Sequence, residues 1–335
     1  MENRARGALY GLAIGDALGM PTQMLSRPEI VSRWGAFLTG FEPAPPGHPI
    51  AAGLPAGSVT DDTEQAVLLG RLLVQGTGAV DPRDLASALV RWEHDMADRG
   101  SLDLLGPSTR RAVTAVLEGI PPEEAGASGD TNGAAMRIAP VGIAFPLDLG
   151  LPALVDQVEG ASRVTHHTGI AVAGAAAVAA AVSAGISGSG IAEATAVAVH
   201  AARIGAERGH WVAGADVAAR IEWAASLVAG RDPARAADLI FTLVGTSLAT
   251  QESVPAAFAV LAAAPDDPWQ ACLLAASLGG DCDTIAAMAG AMAGGCAGVE
   301  SFPAEAVAVI DHQGLGLGGL ADDLLALRAR IGRRA

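Results

Sequence analysis

The chain has 335 residues, 51% of them apolar but only 4% aromatic, and 36 acidic side chains against 21 basic ones give a formal charge of −15. That balance argues against a nucleic-acid partner, which needs a positive surface, and against an anionic membrane face. Alanine and glycine dominate, so closely packed helices are expected in place of a sandwich or barrel.

In chain order, residues 4–19 read as an opening helix of small residues. Residues 20–55 are broken by Pro43, Pro45, Pro46, Pro49 and several glycines, and read as a long loop of the kind that often serves function. The pattern predicts a helix over 60–75, opened by Thr60 with acidic residues in its first turn. Helices follow over 84–96 and 108–118, then a loop over 121–132. The helical pattern continues over 162–184, 190–206, 215–229 and 234–246, and then over 255–264, 268–278, 283–297 and 319–331. No strand alternation, fixed-period repeat or clear linker is visible, so the expectation is all-α, with 1–335 forming a single domain.

Residues 169–186 are nearly all Ala, Val and Gly and reach the lower limit for a membrane span. They lack Leu, Phe, an aromatic belt and a basic flank, so a buried central helix and no membrane partner are expected. There is no lysine, which removes Schiff-base and phosphate-loop lysine chemistry. Cys272, Cys282 and Cys296 make no CxxC pair, and their odd count is a poor disulfide framework. No signal-peptide pattern follows Met1, and a reduced, cytoplasmic setting is expected, as a monomer or small homo-oligomer.

Two segments carry an excess of acids: Gly57-Ser58-Val59-Thr60-Asp61-Asp62-Thr63 and Gly279-Gly280-Asp281-Cys282-Asp283-Thr284. Each puts two carboxylates and hydroxyls at the beginning of an apolar helix. N-capping is one reading, but a cap needs only one such residue. Neighbouring carboxylates repel unless protonated or bound to a cation, and hard oxygen donors suit Mg²⁺, Mn²⁺ or Ca²⁺ and not zinc. Four aspartates and two threonines suffice for two such ions.

These two segments, in this order and this far apart, resemble those of the ADP-ribosylglycohydrolase family, which includes the dinitrogenase reductase-activating glycohydrolases. The likeness covers nearly the whole chain. It extends to residues 7–19 (GALYGLAIGDALG), Thr131-Asn132-Gly133-Ala134-Ala135-Met136-Arg137, Thr165-His166 before a small-residue helix, and Glu252-Ser253-Val254-Pro255. The resemblance implies a single all-α domain with a central two-metal cleft holding Mg²⁺ or Mn²⁺. It makes Thr60, Asp61, Asp62, Asp281, Asp283 and Thr284 the metal ligands, with Asp62 and Asp283 also catalytic. It implies hydrolysis of an N- or O-glycosidic bond at ribose C1, with metals fixing the sugar and acidifying a water. Thr131, Asn132 and Gly133 resemble a phosphate-contacting loop, though an ordinary turn before a helix reads the same way. Asp130, just before it, and His166, at the family's ligand cleft, join the substrate-binding candidates. Asp16 is expected in a supporting part, and Arg137 as an ion-pair partner or loop anchor.

The chain departs from the family pattern at Gln23, where many members carry a flap glutamate; glutamine hydrogen-bonds but cannot take a proton. Asp103 stands near the place of a family catalytic aspartate, out of register, before the family-like stretch 106–111. Three functions follow as expectations: a hydrolase of ADP-ribosylated substrates, a hydrolase of small nucleosides or ribosyl metabolites on the same scaffold, or a non-catalytic ADP-ribose-binding module.

Overall fold

Small side chains let this chain form helices almost throughout and pack them at very short range. The computed structural model describes residues 1–98 and 105–334. The first half holds α1 (Glu2–Gly19), α2 (Arg27–Trp34), α3 (Asp61–Gln75), α4 (Pro82–Asp98), α5 (Pro107–Leu117), α6 (Pro122–Ala125), α7 (Gly133–Met136), α8 (Ala139–Ala144) and α9 (Leu151–Ser162). The second half holds α10 (Gly169–Ser187), α11 (Ile191–Gly205), α12 (Val217–Val228), α13 (Pro233–Leu239), a π-turn (Ile240–Val244), α14 (Thr250–Ala263), α15 (Pro268–Ala276), α16 (Cys282–Ala297), α17 (Ala304–Asp311) and α18 (Leu317–Arg334). Among the described residues there is no strand, only two isolated bridges, Thr131 with Ala249 and Thr168 with His210.

The closest pair is α1 against α16, antiparallel. Gly7, Gly11, Gly15 and Gly19 recur every fourth residue, so they form one stripe along α1. A Cβ on Gly11 would overlap the carbonyl of Gly290, and one on Gly15 the carbonyl of Ala286. Backbone therefore lies on backbone, and the end of α1 meets the start of α16 where Gly19 touches Asp283. Helix α10 is apolar on all sides, as a helix enclosed on all sides must be. It is long and apolar enough to cross a membrane, yet its apolar window is wholly buried among helices that include α8, α9, α11 and α16.

Four expectations need correction. The 20–55 loop contains α2, opened by a capping box in which Ser26 and Glu29 satisfy each other's backbone N–H. The 121–132 loop likewise holds the one-turn α6. The helix expected over 162–184 is two helices: Ser162 ends α9, and Thr168 caps α10 by accepting from Ala171 N at 3.3 Å. Helix α14 starts at Thr250, not at Pro255. Pro255 cannot donate to the carbonyl of Gln251, and Arg220 Nε takes that carbonyl instead.

Candidate active site

The two acidic helix starts meet. Thr60 caps α3, and the cap is fastened to α1 through Asp16, which is fully buried. Asp16 accepts from Thr60 N at 2.9 Å, Thr60 Oγ1 at 2.8 Å, Thr63 N at 3.2 Å and also Thr63 Oγ1. Across the cleft, Gly279 and Gly280 both adopt positive φ, which turns the chain sharply into Asp281 and α16. Gly280 exchanges backbone hydrogen bonds with Met24 (2.7 Å) and Leu25 (2.8 Å), so the segment after Gln23 is pinned to the start of α16. Thr284 Oγ1 then donates to Asp62 Oδ2 at 3.2 Å, joining motifs 222 positions apart.

A cleft of about 320 Å³ opens over this junction. Its floor includes Asp61, Asp281, Asp283 and Thr284; Thr131, Asn132 and Gly133 form one wall; Gln23, Met24 and Ile50 form another. A further side comes from Leu105, Gly106, Pro107, Thr109 and Arg110. Asn132 Nδ2 donates to Asp281 Oδ2, and Gln65 Nε2, one turn below Asp61, donates to Asp61 Oδ2 at 2.9 Å.

Burial drives the electrostatics. It pushes Asp62 well above the usual carboxylate range, and the charges of Asp61, Asp283, Asp16 and Asp281 push it further. Burial also raises Asp281 to about 6, against the lowering hydrogen bonds from Asn132 and Thr284. Asp16 rises to about 6 for the same reason, opposed by Thr63 and Thr60. Asp62 Oδ1 is buried with no hydrogen-bond partner among the described residues. So much negative charge, all on hard oxygens, with an acceptor left over, fits a divalent cation of the Mg²⁺ or Mn²⁺ kind. Among the described residues, no three His, Cys, Asp or Glu side chains close around one point as a finished cage. Hydrogen bonds from Gln65, Thr284 and Asn132 hold the carboxylates at their present spacing.

A family model described as ADP-ribosylglycohydrolase matches residues 1–333. The chain belongs to the ADP-ribosylglycohydrolase family. It is a hydrolase of the glycosylase class. Its relatives include the uncharacterized protein YegU of Escherichia coli (strain K12), 35% identical over 309 residues that cover 92% of each chain. The ADP-ribosylarginine hydrolase Tri1 of Pseudomonas putida (strain GB-1) is 32% identical over 313 residues, covering 90% of this chain and 73% of Tri1. A solved structure, an ADP-ribosylglycohydrolase-related protein complex, shares the fold with a TM-score of 0.71, at 24% identity and 98% coverage of both chains.

The glycohydrolase does not bring every expected site residue to its cleft. Thr60 is 1% exposed, and its hydroxyl is turned to Asp16 and Asp62 behind the cleft floor. His166 is fully buried behind Thr131, to which its Nε2 is bonded at 2.9 Å, and it does not line the cleft. Gly133 lies directly over that ring: a Cβ there would sit 2.8 Å from His166 Cε1. Asp130 is exposed outside the cleft; its carbonyl, not its carboxylate, is used, accepting from Thr250 Oγ1 at 2.8 Å. Asp103 lies outside the described residues. Arg137 pairs with no carboxylate among the described residues; it donates to Gln65 and Thr165. Arg110, which lines the cleft and bonds Glu93 at 2.8 Å, was not anticipated. Gln65 was legible as the residue one helical turn after Asp61.

Proposed function

We propose that this glycohydrolase cleaves an N- or O-glycosidic bond at ribose C1 of an ADP-ribosylated substrate, with Asp61, Asp62, Asp281, Asp283 and Thr284 holding two divalent cations, Mg²⁺ or Mn²⁺, and Thr60 steadying Asp62 from behind. The observation that carries the reading is the 3.2 Å bond between Thr284 and Asp62, which gathers both acidic motifs under one cleft. When bound, the cations would orient the ribose diol and lower the pKa of a water beside C1. The chain's own share is electrostatic and positional. Buried carboxylates favour the positive charge that develops at C1 in an oxocarbenium-like transition state. In this reading Asp283, on the cleft floor, and Asp62, buried beneath it beside Thr284, share the proton of the attacking water, while Thr131, Asn132 and Gly133 orient the rest of the ligand. The relative Tri1, an ADP-ribosylarginine hydrolase, supports an ADP-ribosylated substrate. Three buried free cysteines support a reducing, cytoplasmic setting.

The decisive assay incubates the purified protein and Mg²⁺ or Mn²⁺ with ADP-ribosylarginine, an O-linked ADP-ribosyl ester, and a panel of α- and β-nucleosides. Release of ADP-ribose that stops on chelation is expected; no release from any ADP-ribosyl linkage would overturn the proposal.

Gln23 supports a second reading. It is 4% exposed at the cleft wall, and its Nε2 has no hydrogen-bond partner among the described residues. An amide there holds a ligand but cannot move a proton, which fits a binding module or a hydrolase of other ribosyl compounds that draws its base from another residue. If the protein only binds, Gln23→Glu leaves turnover absent. A rise of about tenfold or more in kcat from a measurable baseline would decide for the hydrolase.

A further inference from the structure

Arg137 follows α7 and is fully buried. Its Nη1 donates to Gln65 Oε1 at 3.1 Å and its Nη2 to Thr165 Oγ1 at 2.5 Å. Burial lowers its pKa to about 10, so the guanidinium stays charged at neutral pH, with donors only. Each neighbour must therefore accept from it and turn its own hydrogen outward. On one side Gln65 presents Nε2 to Asp61 Oδ2 at 2.9 Å. On the other, Thr165 Oγ1 lies 2.8 Å from His166 Nδ1, and His166 Nε2 lies 2.9 Å from Thr131 Oγ1. Burial, reinforced by Arg137 and Arg111, holds His166 well below the usual imidazole range, so its ring is neutral and carries one N–H.

Only one arrangement satisfies this chain. Thr165 gives its hydrogen to His166 Nδ1, and the ring hydrogen sits on Nε2 and goes to Thr131 Oγ1. Thr131 lines the cleft, and its own hydrogen is left to point there. The opposite tautomer strands the Thr165 hydrogen in the interior without an acceptor and turns the Thr131 hydrogen away from the cleft.

We propose that Arg137 is a positioning residue that sets the direction of both hydrogen-bond chains, delivering a donor to Asp61 at one end and a Thr131 hydroxyl hydrogen at the other, for an acceptor oxygen of the bound ligand. The clause about the ligand rests on the hydrolase reading; the direction of the chains does not.

The test uses the full chain labelled with ¹⁵N-histidine at pH 7.5, first without ligand, with the His166 signals assigned by their loss in His166→Asn. A protonated Nε2 and a bare Nδ1 are expected. Thr165→Val removes the link at nearly constant shape: it should abolish the single-tautomer pattern and raise KM for an ADP-ribosyl substrate about five- to tenfold with kcat little changed. Thr165→Ser should restore both. A protonated Nδ1 in the wild type overturns the proposal, as does a Thr165→Val variant with the wild-type tautomer and KM. Because the tautomer is read in ligand-free protein, failure of the hydrolase reading and failure of this one are separate results.

Discussion

At the scale of single residues, the site is held by side chains that touch no ligand. Asp16 fastens the α3 cap to α1 with its two oxygens, and Gln65 steadies Asp61 from below. His48 does similar work for the loop over the cleft. Its Nε2–H donates to the carbonyl of Gln23 at 2.9 Å, and its Nδ1 accepts from Ala51 N at 2.9 Å. That geometry needs a neutral ring, and burial, with repulsion from Arg33, depresses its pKa. The unfolded chain takes a proton near pH 6.5 where the folded one resists it, so this contribution is present above that pH and lost below it. His48→Leu, which does not titrate, should destabilise the protein by about 1–2 kcal/mol at pH 7.5, and by less at pH 5.5. Urea melts at the two pH values measure the gap, and a gap that widens on acidification would contradict the assignment.

Among the helices, the α1–α16 contact decides where the chemistry sits, because it delivers Asp16, Gln23 and Asp283 to one place. Adding one methyl group inside it forces the backbones apart: Gly11→Ala or Gly290→Ala should each cost about 3 kcal/mol or more. Gly160, in α9, has open space around its Cβ position, and Gly160→Ala should stabilise by about 0.5–1 kcal/mol through helix propensity alone. Equal effects at the three positions, in chemical denaturation, would refute the backbone-on-backbone account. The starts of α3 and α16 were legible because capping residues and acids concentrate there. The break between α9 and α10 was not, because Ser162 and Thr168 can each open a helix, and the polar run Arg163-Val164-Thr165-His166-His167 between them reads as a first turn. Nor was the true start of α14. Proline favours a first turn, and the rescue of the Gln251 carbonyl comes from Arg220, thirty-one residues away in sequence.

For the molecule as a whole, the all-helical fold and the meeting of the two acidic segments were readable from composition and motif. The relay was not: Thr165 and His166 are neighbours, but Arg137, Gln65 and Thr131 come from other elements and no spacing ties them to that pair. Cation binding should appear as global stability: Mn²⁺ at a hundred times its Kd should add about 2.7 kcal/mol, read as a rise in Tm over the chelated protein. Asp61→Ala and Asp281→Ala should each abolish that rise with helix content unchanged. A full rise in both variants would place the ions elsewhere.

The pairing of α1 with α16 also constrains how the protein is made. Helix α1 finds its main partner in residues 282–297, which are made long after it. Until α16 has been made, that glycine face lacks its partner, so the nascent chain must hold the surface in waiting or hand it to a chaperone. Catalytic competence then waits on the synthesis of α16, and a product truncated before Asp281 would carry half of the acidic site but none of the helix that completes it.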